Sequence, residues 1–324
     1  MKQPPSLQSK ASITGRFIIR CVSGIVDYII LGTLLFLFIF CVYILWDSNS
    51  IYAAASSKEY EIYKPEQDNS LSFAQLKEIN GEVFGWLTVY GTGIDYPVVQ
   101  AKDNKKYLNR DALGKSTSYG ALYLDCMNKP DFSDFSSVIY GHHMANHVMF
   151  GDLDLFEDPE FFDQHRYGNL FFNDKDHGLE FMIFLKADAY DSRVYRFGIP
   201  DGPKADAYLD FLRSKAINER DVTLRPGEHI VLLSTCTEDV TNGRYILVAR
   251  ITDETFANPF YTPPKEPSRF YTMFTKGRTP WSGVFDWPLF IWLLIILWFV
   301  LIVITLTRYI KKQRKIKKGD KHDK

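Results

Sequence analysis

A cysteine and an arginine stand at the facing ends of two strand-like runs in the second half of the chain. The run HIVLLSTC ends at Cys236 and the run RYILVARI begins at Arg244, with the turn signal Asn242-Gly243 among the seven residues between them. If the two runs pair as an antiparallel hairpin, both side chains lie at the same end of a sheet. A thiolate there could attack a carbonyl carbon, while the guanidinium binds the oxygen that becomes negative during acyl transfer.

A cysteine nucleophile also needs a partner for its proton, because a free thiol is only a few per cent ionised at neutral pH. The run SSVIYGHHM is strand-like up to Gly141 and places His142 directly after it. Catalytic side chains are often displayed where a rigid strand ends. Cys236, His142 and Arg244 together therefore predict a thiol active site at one rim of a β-rich domain.

Polar residues beside Cys236 are candidates for supporting roles. Ser234 and Thr235 could donate hydrogen bonds to a substrate, although packing beside the nucleophile accounts for them equally well. Glu238 is a further candidate substrate contact. Glu238 or Asp239 could also orient the histidine as the third member of a triad, but both are more typical of a solvated loop. Three other residues are candidates for the cleft by position alone: Tyr140, Asn128 and Met144.

The remaining histidines and cysteines do not indicate a metal site or a redox site. His143 and His147 have the spacing of metal ligands on a helix, but the run HHMANH lacks the glutamate of a zinc-protease helix, and no third ligand is evident. Cys126 could form a disulfide with Cys236, which would inactivate the enzyme; a partly buried thiol near the cleft is favoured instead. No Cys-X-X-Cys motif supports a redox role. We therefore expect neither a metal nor an organic cofactor.

A β-rich scaffold must position these residues. Eight runs are strand-like, at residues 85–89, 96–100, 120–125, 136–140, 169–173, 179–190, 229–235 and 244–251. Helices are expected at a Ser72–Gln75 capping box, over 150–165, and over 205–217, where an amphipathic pattern could pack on the sheet. Eight strands with few helices predict a mainly-β fold, a closed or nearly closed barrel.

Two uncharged apolar runs flank this domain, at residues 28–46 and 287–307. Each is long enough to cross the hydrocarbon core of a membrane as a helix. Basic residues precede the first run, and residues 308–324 hold nine basic and two acidic side chains. By the positive-inside rule, both termini are expected to be cytoplasmic and the middle of the chain extracellular. A cleaved signal peptide is less favoured, because the first run is longer than a usual signal core.

The total charge is near neutral, but it is unevenly distributed along the chain, and this distribution indicates which partners the chain can bind. Residues 28–307 carry 25 basic and 36 acidic side chains, a net charge of −11, which argues against nucleic acid. The basic tail is expected to lie beside anionic lipid. The predicted organisation is a cytoplasmic N-terminus (1–27), a transmembrane helix (28–46), a polar stalk (47–70), a catalytic domain (71–252), a juxtamembrane connector (253–286), a second transmembrane helix (287–307) and a basic cytoplasmic tail (308–324).

The sequence around the candidate residues resembles the sortases, cysteine transpeptidases of Gram-positive cell surfaces, and class B is the most similar class. The likeness covers roughly residues 72–251. It is carried, in order, by INGEVFGWLTVYGTGIDYPVVQAKDNKKYLNRD, GALYLDCMN, VIYGHHM with MFGDL, and LLSTC followed by Arg244. The resemblance implies an eight-stranded β-barrel. It assigns Cys236 as nucleophile, His142 as general acid and base, and Arg244 as the group that positions the substrate and its oxyanion.

Two features depart from the class B pattern. Leu232 stands where the family motif TLxTC has threonine. A membrane span after the catalytic domain is more typical of the pilin-polymerising class C, but residues 47–70 contain no Asp-Pro-aromatic lid of the kind that class C carries. The core therefore indicates class B, and the second span favours a pilus-type task.

The resemblance implies a membrane-anchored enzyme that cleaves a sorting motif in exported surface proteins or pilins through a thioester. An amine of the cell-wall precursor, or a lysine of another pilin subunit, would then accept the acyl group. Two alternatives stay open. One is a membrane-bound cysteine endopeptidase that releases its product to water; the other is a non-catalytic barrel that serves as a surface-assembly scaffold. The intact cysteine, histidine and arginine argue against the scaffold.

Overall fold

The computed structural model describes residues 7–65, 70–236 and 242–261, without the side chains of residues 7–21, 25, 70, 71 and 236. The predicted span at 287–307 and the basic tail at 308–324 lie outside these residues. In chain order, the strands are β1 (Val83–Val89), β2 (Asp95–Val99), β3 (Leu122–Leu124), β4 (Ser136–Tyr140), β5 (His143–Met144), β6 (Val148–Met149), β7 (Tyr167–Phe172), β8 (Lys175–Asp188), β9 (Ala216–Glu219), β10 (His229–Cys236) and β11 (Gly243–Thr252). The α-helices are α1 (Leu7–Ala55), α2 (Ser70–Ile79), α3 (Pro159–Gln164) and α4 (Pro203–Arg213), and 3-10 helices lie at Ser57–Glu59, Glu61–Tyr63, Lys106–Leu108 and Gly151–Glu157.

Eight of the strands close into a barrel. Their order is β11-β10-β4-β3-β2-β1-β7-β8, and β8 pairs with β11 to complete the ring. Strand β9 adds to β8 beside the ring, and β5 and β6 form a separate hairpin. The prediction of a mainly-β barrel is confirmed, and each of the eight predicted strands is present within a few residues of its expected bounds.

Alternating side chains on the long strands divide the apolar residues into two clusters. On β10, Val231 and Leu233 belong to the cluster inside the barrel, whereas Ile230 and Leu232 belong to a second cluster on the opposite face. Helix α4 covers that second face with apolar residues at helical spacing: Ala205, Tyr208, Leu209 and Leu212. The prediction that an amphipathic helix packs on the sheet is therefore confirmed.

Two predicted helices have different bounds in the structure. The helix expected over 205–217 ends at Arg213, because the following residues pair with Ile183–Leu185 of β8 and form β9. The segment over 150–165 is divided into a 3-10 helix and α3, and Asp158 separates them. Its carboxylate caps α3 by accepting a 2.8 Å hydrogen bond from the Glu160 N–H.

Helix α2 begins at Ser70, two residues before the predicted start at Ser72. The Ser72 hydroxyl donates a 3.0 Å hydrogen bond to the carbonyl of Lys64. The serine thus ties the helix to the segment that precedes it, where the sequence had predicted a capping box.

Helix α1 extends without a break to Ala55, and its stretch Val22–Ala55 is long and apolar enough to cross a membrane. The segment predicted as a polar stalk, 47–70, differs from that expectation. It stays helical to Ala55, and Ala55 and Tyr60 are both buried in the barrel cluster. The average composition of the segment is polar, but Ala55 and Tyr60, together with the partly buried Ile51, Tyr52 and Tyr63, pack it against the barrel.

Residues 253–261, the start of the predicted connector, also pack on the barrel. Phe256 stacks on Tyr167 with 4.1 Å between ring centroids, and Phe260 stacks on His165 at 4.6 Å. The Tyr90 hydroxyl donates to the Phe256 carbonyl at 3.1 Å. We call residues 253–261 the C-terminal strap.

Candidate active site

The pairing of three strands brings the predicted catalytic residues to one rim of the barrel. Cys236 and Arg244 are direct partners in the antiparallel pair β10–β11. Strand β10 also pairs in parallel with β4, with Ser234 beside Tyr140. Cys236 follows Ser234 by two residues, and His142 follows Tyr140 by two residues. Both therefore reach the same edge of the sheet. The expected convergence at one end of the sheet is therefore present in the backbone.

A cleft with a volume of about 170 Å³ opens at this rim. It includes five of the residues singled out from the sequence as candidates: His142, Arg244, Ser234, Thr235 and Tyr140. Its other lining residues are Asn104, Leu108, Tyr123, Gly141, Ala189 and Tyr195. The side chain of Cys236 and the whole of Glu238 and Asp239 lie outside the described residues, so their roles stay predictions.

The ring of His142 is held by a backbone carbonyl. Its Nε2 lies 2.9 Å from the carbonyl oxygen of Leu108. A carbonyl can only accept, so Nε2 carries a proton and donates it, which leaves Nδ1 as the nitrogen that can exchange a proton with a thiol or an amine. The backbone of His142 is also fixed, because its carbonyl accepts a 3.0 Å hydrogen bond from the Phe150 N–H.

Gly141 connects the end of β4 at Tyr140 to His142. Its N–H donates a 3.2 Å hydrogen bond to the Ser234 carbonyl, which continues the pairing with β10. A Cβ on residue 141 would lie 2.4 Å from a methyl group of Leu122 and 2.7 Å from the Phe150 ring. A side chain at residue 141 would therefore require Leu122 and Phe150 to move.

A polar network lines the wall of the cleft next to β4. The Tyr140 hydroxyl donates to the Asp125 carboxylate at 3.1 Å, and the Asn104 amide donates to the same oxygen at 2.8 Å. Burial raises the pKa of Tyr140 well above its usual value, and the nearby Asp125 raises it further. The Tyr140 hydroxyl therefore stays protonated and remains a donor at every physiological pH.

Ser234 and Thr235 are both buried, at 1% and 2% exposure. The Ser234 hydroxyl lies 2.8 Å from the Tyr195 hydroxyl, so it has a protein partner. The Thr235 hydroxyl has no hydrogen-bond partner among the described residues. Of the two, Thr235 is the better candidate for a contact with substrate.

Other residues considered from the sequence lie away from the cleft. Asn128 is buried and joins two backbone segments, since its amide donates to the Ser136 carbonyl at 2.9 Å and accepts from the Val138 N–H at 3.0 Å. Leu232 is fully buried in the outer apolar cluster, so the threonine-to-leucine departure removes no side chain from the cleft lining. Met144 lies in the β5–β6 hairpin and does not line the cleft either.

Cys126 and the two other histidines of HHMANH have their own environments. Burial and the Asp125 carboxylate raise the pKa of the Cys126 thiol, which makes it a poor nucleophile. His143 Nε2 lies 3.2 Å from Asp154 Oδ2, and His147 Nδ1 lies 2.5 Å from Asp152 Oδ1. The two histidines thus face different carboxylates on a hairpin, and no group suited to a metal ion occurs among the described residues.

Sequence reasoning did not single out several residues of the cleft: Asn104, Leu108, Tyr123, Ala189 and Tyr195. Asn104, Ala189 and Tyr195 lie outside the helices and strands, Leu108 ends a 3-10 helix, and Tyr123 is the middle residue of the short strand β3, all far from Cys236 in sequence. Leu108 contributes its backbone carbonyl, which has no signature in a sequence.

No protein-family model matches the chain. The chain is similar to curated and solved sortases. It is 28% identical over 199 residues to sortase B of Staphylococcus aureus, which covers 60% of this chain and 78% of that protein. It is 52% identical to sortase B from the type II pilus of Streptococcus pneumoniae, over 56% of this chain and 99% of that structure, with a TM-score of 0.50. A class B sortase of Streptococcus pyogenes involved in pilus biogenesis is 33% identical over 56% of this chain and 99% of that structure, with a TM-score of 0.52.

Two of these relatives exceed 30% identity over nearly their whole solved length. In this chain, β4, β10 and β11 bring the backbones of His142, Cys236 and Arg244 to one rim of the barrel. The chain therefore belongs to the sortase family, class B, whose members are cysteine transpeptidases.

Proposed function

We propose that this sortase is a membrane-anchored enzyme in which Cys236 is the nucleophile, His142 the general acid and base, and Arg244 the oxyanion partner. The observation that carries the proposal is the strand register, which pairs Cys236 with Arg244 and leads His142 to the same edge. The cleft that contains His142 and Arg244 supports it, because a peptide could enter there from solvent.

In the first half-reaction, the Cys236 thiolate attacks a backbone carbonyl carbon in the sorting motif of an exported protein. The new C–S bond produces a tetrahedral oxyanion, which the Arg244 guanidinium stabilises through its N–H donors. The C–N bond then breaks, and protonated His142 gives its Nδ1 proton to the leaving amine. The product is a thioester between the substrate and Cys236.

In the second half-reaction, an amine attacks the thioester carbon. His142 accepts the proton of the amine, a C–N bond forms, and the C–S bond breaks to regenerate the thiolate. The net reaction exchanges one amide for another, so neither an oxidant nor a cofactor is needed. Water in place of the amine would give hydrolysis, as the endopeptidase alternative requires.

We propose a lysine of another pilin subunit as the accepting amine. Two similar solved sortases support this choice, since one comes from the type II pilus of Streptococcus pneumoniae and the other is involved in pilus biogenesis in Streptococcus pyogenes. The amine of a cell-wall precursor is the alternative acceptor for the same thioester. In both cases the donor is an exported surface protein or pilin that carries a C-terminal sorting motif.

We propose that α1 anchors the enzyme in the cell membrane, with residues 71–252 as the extracellular catalytic domain. The side chains described within Val22–Ala55 lie largely on the surface, as expected of a helix surrounded by lipid. The run at 287–307 and the basic tail at 308–324 would form the second anchor, with both termini cytoplasmic.

Product analysis with the full-length chain tests this function. Membranes that contain the enzyme are incubated with a library of short peptides, with and without a lysine-containing pilin peptide or triglycine, and mass spectrometry identifies the products. Cys236→Ala should abolish both cleavage and ligation, whereas Cys126→Ala, a matched change outside the cleft, should retain them. Cleavage by Cys236→Ala at the wild-type rate would refute the proposed nucleophile. Hydrolysis without any amine adduct would favour the endopeptidase.

A further inference from the structure

We infer that the backbone carbonyl of Leu108 orients His142, taking the place that a carboxylate side chain holds in a serine-protease triad. The inference rests on the proposed function, because it matters only if His142 transfers protons. Its direct basis is the 2.9 Å contact between the carbonyl oxygen and Nε2. Leu108 is then a positioning residue that acts through its main chain.

The hydrogen bond determines which ring nitrogen faces the reaction. A neutral imidazole carries one proton, and the partner of one nitrogen decides the state of the other. With the proton held on Nε2 by the carbonyl, Nδ1 keeps its lone pair and can take a proton from the thiol or the incoming amine. In the wrong tautomer the histidine cannot act as a base in the same position, which is why loss of the orienting group is costly in triads.

The carbonyl is presented by a rigid turn. Leu108 is the last residue of the 3-10 helix Lys106–Leu108, and its neighbour Tyr107 is 1% exposed. The Tyr107 hydroxyl donates to the Glu82 carboxylate at 2.6 Å and accepts from the Asn80 amide at 2.9 Å. The Tyr107 carbonyl accepts from the Ala121 N–H at 3.1 Å. An acceptor fixed in this way need not reorganise when the imidazole becomes charged.

Gly120 provides the space for this turn. Its φ of +64° is a conformation that glycine adopts readily, and the residue packs against the two carbonyls of the turn. A Cβ on residue 120 would lie 2.4 Å from the Tyr107 oxygen and 2.8 Å from the Leu108 oxygen. Both distances are too short for any real contact, so Gly120→Ala must shift the backbone of residue 120 or of the turn that carries the Leu108 carbonyl, and either shift disturbs the packing that holds this carbonyl.

A matched pair of glycine substitutions separates this effect from ordinary backbone strain. Gly114 lies in the same loop with a φ of +81°, and a Cβ there would meet no atom within 4 Å. Gly114→Ala therefore adds similar strain without touching the Leu108 carbonyl. In the full-length enzyme, Gly120→Ala should lower kcat at least about tenfold with KM changed less than about twofold, whereas Gly114→Ala should change kcat less than about twofold.

The second measurement is the tautomer of His142 itself. Long-range ¹H–¹⁵N NMR spectra of the enzyme labelled at histidine show which nitrogen carries the proton, and the His142 signals are assigned by their loss in His142→Gln. The wild-type enzyme should show neutral His142 protonated at Nε2, and Gly120→Ala should shift the population towards Nδ1. This spectrum of the wild-type enzyme decides the matter even if Gly120→Ala fails to fold.

Three results would overturn the inference: a wild-type His142 protonated at Nδ1, equal kcat for Gly120→Ala and Gly114→Ala, or a rise in KM alone for Gly120→Ala. In the last case Leu108 would position the substrate instead of the histidine. These outcomes are distinct from failure of the proposed function, which is indicated by activity that survives in Cys236→Ala. If Gly120→Ala and Gly114→Ala have equal kcat while Cys236→Ala is inactive, the proposed nucleophile stands and the orienting role of Leu108 is refuted.

Discussion

The Tyr96 hydroxyl donates a 3.0 Å hydrogen bond to the carbonyl of Ala55, the last residue of helix α1. The same oxygen accepts a 3.0 Å hydrogen bond from the N–H of Met149. Met149 lies opposite His143 in the hairpin that directly follows His142. One buried side chain therefore connects the apolar helix, the barrel core and the loop that begins at the proposed catalytic histidine.

Tyr96→Phe should destabilise the barrel by about 1–3 kcal/mol, because it leaves a buried carbonyl and a buried N–H without their partner. Thermal or urea unfolding of the full-length protein measures the change. Tyr190→Phe is the matched control, since Tyr190 is 80% exposed, and it should change stability by less than about 0.5 kcal/mol. Equal stability of the two variants would show that the Tyr96 hydroxyl contributes nothing.

Alkaline pH should weaken the fold through buried tyrosines. Burial raises the pKa of Tyr96 to about 12 and that of Tyr208 to about 12, from an ordinary value of 10.0. A pKa that is higher in the folded state means that stability is fully present below pH 10 and is lost as pH rises towards 12. Urea unfolding between pH 8 and 11.5 should show this decline.

The slope of that decline is the specific test. Tyr208→Phe removes one of the titrating groups, so its free energy of unfolding should fall less steeply above pH 10 than that of the wild-type protein. Identical slopes would indicate that Tyr208 is not protonated preferentially in the folded state.

The mainly-β fold and the three proposed catalytic residues could be predicted from the sequence, because strand-like composition and turn signals are local. Continuous apolar runs bounded by turn residues mark β10 and β11, and Asn242-Gly243 marks the turn that pairs Cys236 with Arg244. The contact between Ser234 and Tyr195 could not be predicted, since it joins distant segments and neither residue follows a periodic pattern.

The ends of the elements were harder to predict for a related reason. The apolar spacing of α4 continues past Arg213, but pairing with β8 offers the next residues a ladder of backbone hydrogen bonds. A tertiary contact therefore overrides the local pattern. The same holds at Ala55 and Tyr60, where burial against the barrel replaces the polar stalk that composition had predicted.

Arg244→Lys should lower kcat/KM by about 10²- to 10³-fold, because lysine keeps the charge but not the planar fork of donors that binds an oxyanion. Steady-state transpeptidation with a single peptide substrate measures the loss. Arg193→Lys is the control: Arg193 is 69% exposed and pairs with Asp191 on the surface. Wild-type kcat/KM in Arg244→Lys would mean that the guanidinium geometry is not used.

Phe256→Ala should release the C-terminal strap. The change removes the stack on Tyr167, and a loss of about 1–2 kcal/mol raises the open population five- to thirtyfold. Limited digestion with chymotrypsin, followed at Phe260 and Tyr261, should accelerate by a similar factor. Tyr190→Ala should digest at the wild-type rate within the strap; equal acceleration in that variant would attribute the effect to general unfolding.

The position of β10 between β4 and β11 has a consequence for the order of folding. In the proposed export from the N-terminus onwards, His142 would emerge well before Cys236, and the parallel contact between their strands closes a long loop. No thiol–imidazole pair can exist until β10 inserts into the gap. A partly exported chain would therefore be inactive, and peptide cleavage would begin only when the last strands complete the barrel.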